Sequence, residues 1–203
     1  MIHSRKDSPQ EVFNFSNLFR KKYANDLGYT KKDIVNFTTG VSINNLALNE
    51  NDIGEFRTFL KLSPPLRTED DRMSLIEGIN KNLIDVIVSD HKPEDEESKR
   101  LTFSQAATGA SGIETFLSLA LEQFHNGSIK LEKIIEVITH NPAKILKINK
   151  GNLSAGTDGD FCVVDINIPW VVKKENLVSK SKNTSIEGRK LQGKVVSTYV
   201  NGK

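Results

Sequence analysis

The chain has 203 residues, 37% of them hydrophobic and 27% charged, an ordinary globular composition long enough for one full domain and part of a second. Its 28 lysines and arginines against 26 aspartates and glutamates leave a formal charge of +2, too weak a field to hold a polyanion, so nucleic acid is excluded as an expected partner. No apolar run reaches the roughly 18 residues of a membrane span, the opening Met1-Ile2-His3-Ser4-Arg5-Lys6 lacks an apolar secretory core, and the single Cys162 has no cysteine to pair with, so a cytoplasmic protein with no membrane partner is expected.

Residues 1–32 are polar and rich in Asn and Lys, with Phe13, Phe15, Leu18, Phe19 and Tyr23 at spacings that suit a short amphipathic helix. Residues 34–39 read as a strand ending at Gly40, and residues 59–62 as another, stopped by Pro64-Pro65. Thr68 is the expected N-cap of a helix whose first turn holds Glu69, Asp70 and Asp71, where carboxylates suit the positive helix end. Leu75, Ile76 and Ile79 form its buried stripe. A strand follows over residues 84–89, then a charged loop to Arg100, then an apolar helix over residues 113–121 with His125-Asn126-Gly127 as its stop. Residues 131–139 suit another helix with Ile134, Ile135 and Ile138 on one side, and Pro142 starts a short one through Leu146. Strand and helix alternate as in a parallel α/β architecture. Past Lys150, Gly151, Gly156 and Gly159 punctuate turns, and short strands over residues 161–165, 170–172 and 195–200 read as a small β module, with Cys162 as a buried small side chain.

The most informative stretch is Asp85-Val86-Ile87-Val88-Ser89-Asp90-His91-Lys92-Pro93. Its β-formers carry an acid and an imidazole to the end of a buried strand, which in parallel sheets and barrels is where ligands and metals bind. Among His3, His91, His125 and His140 no two fall at metal-ligand spacing, so the sequence reads as part of a metal-dependent enzyme with most of the metal ligands absent. Asp90 is either a catalytic base or a loop cap after a strand. His91 is either a donor to a metal-bound water or a turn residue. The acids between Lys92 and Lys99, Glu94 to Glu97, form a lid or a solvated loop, and Arg67 binds an anion, pairs locally with Glu69 or Asp70, or simply faces solvent. Gly109 and Gly112 lack phosphate-loop spacing and read as turn residues.

Four stretches, in order, carry a resemblance to the cyclic amidohydrolases, and within them to the dihydroorotases. They are Phe59-Leu60-Lys61-Leu62-Ser63-Pro64-Pro65-Leu66-Arg67-Thr68-Glu69-Asp70-Asp71-Arg72; residues 84–93; Asn141-Pro142-Ala143-Lys144-Ile145-Leu146 with residues 151–160; and residues 179–184 with Gly188-Arg189-Lys190-Leu191-Gln192-Gly193-Lys194-Val195. The resemblance implies that residues 33–149 hold the last strands and helices of an incomplete (β/α)8 barrel and residues 150–203 the carboxyl-terminal part of a flanking β-sandwich, leaving residues 1–32 unmatched.

In that family two zinc ions bridged by hydroxide open the ring amide of dihydroorotate to carbamoyl aspartate, reversibly, in pyrimidine biosynthesis; a divalent ion makes such a nucleophile at neutral pH by lowering the pKa of bound water. The resemblance puts Asp90 at the family's proton-carrying metal ligand. It puts Asn45 where a metal-ligating histidine belongs, an exchange that weakens zinc binding. Ser63 replaces an asparagine and Glu94 a histidine that contact the substrate carboxylate, and a glutamate there repels it. The family's His-x-His pair, bridging ligand and substrate arginine have no counterpart. An incomplete barrel leaves strand edges open. The chain alone is therefore expected to hold no zinc and to catalyse nothing, and its expected partner is an amino-terminal amidohydrolase half, a second copy of itself, or a transcarbamoylase.

Overall fold

Thr39 joins two distant parts of the chain. Its backbone N–H donates to Asp85 Oδ2 at 2.7 Å and its hydroxyl to the Leu83 carbonyl at 2.6 Å, tying together the starts of two parallel strands. The computed structural model describes residues 38–203, and the helix expected over residues 1–32 lies outside them. Strands β1 (Gly40–Ser42) and β2 (Val86–Val88) pair in parallel, with Val41 opposite Ile87. Of the strand expected over residues 34–39, positions 34–37 lie outside the described residues; Thr38 and Thr39 precede β1, which runs through Gly40. A Cβ on Gly40 would lie 3.0 Å from Val86 Cγ2, so this glycine permits close strand approach and does not end the strand.

Helix α1 (Ile43–Ala47) follows β1, with the Ser42 hydroxyl accepting from the Asn44 N–H as its cap. Residues 59–62, expected as a strand, form a 3-10 turn (Thr58–Leu60) and an irregular segment. Leu60 and Leu62 are both buried, which gives the alternation, but the Lys61 carbonyl between them accepts from Gly109 N–H at 3.0 Å, in no regular ladder. Helix α2 (Glu69–Asn80) starts as expected: Thr68 Oγ1 accepts from Asp71 N–H, three carboxylates occupy the first turn, and Ile76 and Ile79 are buried with Leu75 packed beside them.

After β2 comes a single helical turn, α3 (Glu96–Lys99), then α4 (Phe116–His125). The expected helix from residue 113 begins later, because the N–H groups of Gly112 and Ile113 turn toward His91 Nδ1. Gly127 ends α4 with φ 71°, as the stop signal implies. Helix α5 (Leu131–Ile135) passes through a π-helical turn (Glu136–His140) into α6 (Asn141–Leu146). Ile135, expected on the buried side, is exposed, while Val137 is buried; Ile134 and Val137 share the inward face at a spacing of three residues.

The last two strands form an antiparallel ribbon, β3 (Phe161–Val171) with β4 (Lys190–Tyr199). One continuous strand thus replaces the two expected over residues 161–165 and 170–172. Cys162, expected to be buried, is exposed, because this end of the ribbon pairs with one neighbour and no second layer covers it among the described residues. The ribbon's other end packs on α4: Ser118 donates to the Gly193 carbonyl at 2.7 Å, Trp170 Nε1 donates to Ser118 Oγ at 3.2 Å, and Arg189 forks onto Glu122 at 3.0 and 2.8 Å. The core is one cluster running from Val41 through α2 and α4 to Leu191. Among the described residues, no helix is long and apolar enough to cross a membrane.

Candidate active site

Two parallel strands bring their carboxyl ends side by side, with Ser42 opposite Val88. Asn44 and Asn45 follow one end and Asp90 and His91 the other. Asp90 takes φ 48°, a left-handed conformation that aspartate tolerates better than most side chains and that turns the chain sharply off the strand. The two aspartates of this strand differ in role. Asp85, at its start, accepts from Thr39 and anchors the sheet. Asp90, at its end, lies half-buried in the mouth.

His91 Nδ1 accepts from Gly112 N–H at 3.2 Å and Ile113 N–H at 3.4 Å. A nitrogen that accepts carries no proton, so the neutral ring holds its proton on Nε2 and presents a donor there, not a lone pair. Asn45 is buried, and its Nδ2 donates to the Pro65 carbonyl at 2.9 Å. That bond ties Asn45 to the Ser63-Pro64-Pro65 segment, so the structure joins these two predicted positions. Glu94 Oε1 lies 3.3 Å from Lys92 Nζ, its N–H donates to Asn183 Oδ1 at 3.3 Å, and its carbonyl accepts from Ser181 Oγ at 2.6 Å. The negative charge introduced at Glu94 is thus partly offset by its neighbour. Arg67 pairs with neither Glu69 nor Asp70: its Nε is 3.6 Å from Asp71 Oδ2, one helical turn on.

The acidic loop is not uniformly solvated. Lys99, the last residue of α3, is 0% exposed, and its Nζ donates to the carbonyls of Lys61 at 3.4 Å, Ala107 at 2.9 Å and Gly109 at 2.9 Å. Burial pushes its amine down to about 8, against the attraction of Glu94 and with the repulsion of Lys61 and Lys92. Sequence reasoning missed both Lys99 and Asn183. A charge run gives no sign of which member is buried, and Asn183 was visible only as part of the resembling stretch over residues 179–184.

Zinc does not fit the described residues by themselves. Among them, no three His, Cys, Asp or Glu side chains converge as a metal-binding group. Asn45 donates its Nδ2 to Pro65, which leaves only an amide oxygen, a poorer zinc donor than imidazole, and His91 directs a proton outward where a zinc ligand needs a lone pair.

Comparison with known proteins gives the arrangement a context. Residues 25–203 match the amidohydrolase family. The chain is 40% identical over 182 residues to a dihydroorotase of Wolbachia sp. subsp. Drosophila simulans, covering 90% of this chain and 40% of that protein. It is 34% identical over 202 residues to a dihydroorotase of Anaplasma phagocytophilum, covering 100% of this chain and 45% of the relative. Among solved structures, L-hydantoinase from Arthrobacter aurescens superposes with TM-score 0.82 at 26% identity, over 97% of this chain and 42% of that one. The chain spans less than half the length of the curated relatives it matches.

Proposed function

The chain belongs to the amidohydrolase family, and from that premise we propose that it is the carboxyl-terminal portion of a dihydroorotase-like enzyme, one that contributes Asp90 to a site it does not complete. In this reading residues 33–149 belong to a (β/α)8 barrel and residues 150–203 to a flanking β-sandwich. The observation that carries it is the delivery of Asp90 to the carboxyl end of a parallel strand pair around which, among the described residues, no three His, Cys, Asp or Glu side chains converge. Asp90 supplies a carboxylate able to carry a proton, and His91 Nε2–H orients an anion or a water; the metal ligands come from elsewhere.

The partner favoured by this reading is an amino-terminal amidohydrolase half, because among the described residues β1 and β2 form a two-stranded parallel sheet, and parallel strands gain stability from further strands beside them. Ring opening of dihydroorotate by the purified chain tests the proposal. With zinc alone, carbamoyl aspartate is expected to form no faster than in zinc buffer. Adding the amino-terminal segment of the Wolbachia dihydroorotase is expected to yield turnover that Asp90→Asn lowers by about 100-fold or more, the range of a lost general base. Turnover by the unsupplemented chain overturns the proposal.

A further inference from the structure

We propose that Lys99 is a positioning residue for the turn that presents Asp90, its buried ammonium gathering the carbonyls of Lys61, Ala107 and Gly109 and so fixing the segment on which that turn rests. The inference rests on the reading of Asp90 as the site's acid. Three N–H groups meet three carbonyls, so the ammonium's donors are matched in number by the acceptors around it. An apolar side chain of similar length would avoid the cost of burying a cation that has no hydrogen-bonded carboxylate. It would also leave the inward-facing Ala107 carbonyl without this donor.

From Gly109 the path to the site is short. Its carbonyl also accepts from Asn183 Nδ2 at 3.2 Å, and Asn183 Oδ1 in turn accepts from Glu94 N–H at 3.3 Å and Ser111 Oγ at 3.0 Å. One residue on, the Ala110 carbonyl accepts from Lys92 N–H at 2.9 Å, and at Gly112 the N–H reaches His91 Nδ1 at 3.2 Å. The two segments touch without slack. A Cβ on Gly109 would lie 2.8 Å from the Lys92 carbonyl oxygen, and one on Gly112 would lie 2.8 Å from the Ser89 carbonyl oxygen. Movement at Gly109 is therefore passed to the residues on either side of Asp90. The charges that face the ammonium are Glu94 on the turn, which holds it protonated, and Lys61 and Lys92, which oppose it. Loss of the proton near pH 8 removes one donor and releases at least one of the three carbonyls.

Backbone amide resonances of the 15N-labelled full-length chain between pH 6.5 and 9.5 provide the test, and they report on Lys99 whether or not the chain takes part in hydrolysis. In the wild-type protein Gly109, Ser111 and Gly112 are expected to shift together with a midpoint near 8, while Gly127, outside this network, stays still. Lys99→Arg, which remains charged, is expected to keep the low-pH positions with no titration. Lys99→Met is expected to show displaced resonances with no titration. Wild-type amides that stay fixed through this range overturn the proposal, as does the same titration persisting in a folded Lys99→Met. The wild-type arm decides the question even where a variant does not fold.

Discussion

The two strand pairs among the described residues are equally narrow but differently covered. Strands β1 and β2 lie among helices, and Val41, Val86 and Ile87 are all buried. In the ribbon β3–β4, Val195 is 47% and Val196 60% exposed, and Phe161 stacks on Tyr199 with ring centroids 4.6 Å apart at the open end. Both pairs are rich in β-branched residues, so propensity does not separate them. What differs is the layer packed on the strands. The parallel pair and its helices form a core, while the far half of the ribbon keeps an apolar face with no cover among the described residues.

Substitutions on the two sides of this contrast sharpen it. Ile79→Ala, in the helix beneath the parallel pair, removes a side chain that is 0% exposed and is expected to cost about 2–5 kcal/mol, read as a lower midpoint in urea unfolding. An unchanged midpoint would mean that this core does not carry the stability of the chain.

A smaller effect is expected at the start of α2. Glu69 is hydrogen-bonded by Arg72 and by Asn49, which hold its carboxyl down at about 2 from an ordinary 4.5. A carboxyl lowered by folding stabilises above its unfolded value and loses that contribution as pH falls from 4.5 toward 2. The pair is exposed to solvent, so Glu69→Gln is expected to cost only about 0.2–1 kcal/mol at pH 7 and to erase part of the acid-limb slope. Equal acid limbs in the two proteins would contradict this.

The smallest change in stability belongs to the ribbon. Val196→Lys is expected to move the unfolding free energy by less than about 0.5 kcal/mol while lowering self-association in light scattering. A loss comparable to that of Ile79→Ala would show that the ribbon face is packed in solution.

The parts of the fold legible in the sequence are those fixed by local chemistry. Thr68 and the three acids after it announce the start of α2, and Gly127 its counterpart at the end of α4, because caps and left-handed turns depend on neighbouring residues. Strand β2 and the placement of Asp90 at its end were legible too, from β-formers running into a polar turn and from the family resemblance. Residues 59–62 misled because burial of Leu60 and Leu62 mimics strand alternation, while the Lys61 carbonyl is claimed by Gly109 and Lys99 from another part of the chain. Cys162 misled for the converse reason: an apolar run implies burial only where something packs on it. Lys99 had no signal at all, since its burial depends on carbonyls that no one-dimensional pattern brings together.

Zinc content tests the central claim most directly. The full-length chain is equilibrated with zinc, passed through a metal-free desalting column and analysed for bound metal alongside Asp90→Ala. Less than one zinc per chain, unaffected by the substitution, is the expected result, because no three His, Cys, Asp or Glu side chains converge among the described residues. Two zinc ions retained per chain and lost in Asp90→Ala would contradict the assignment of an incomplete site.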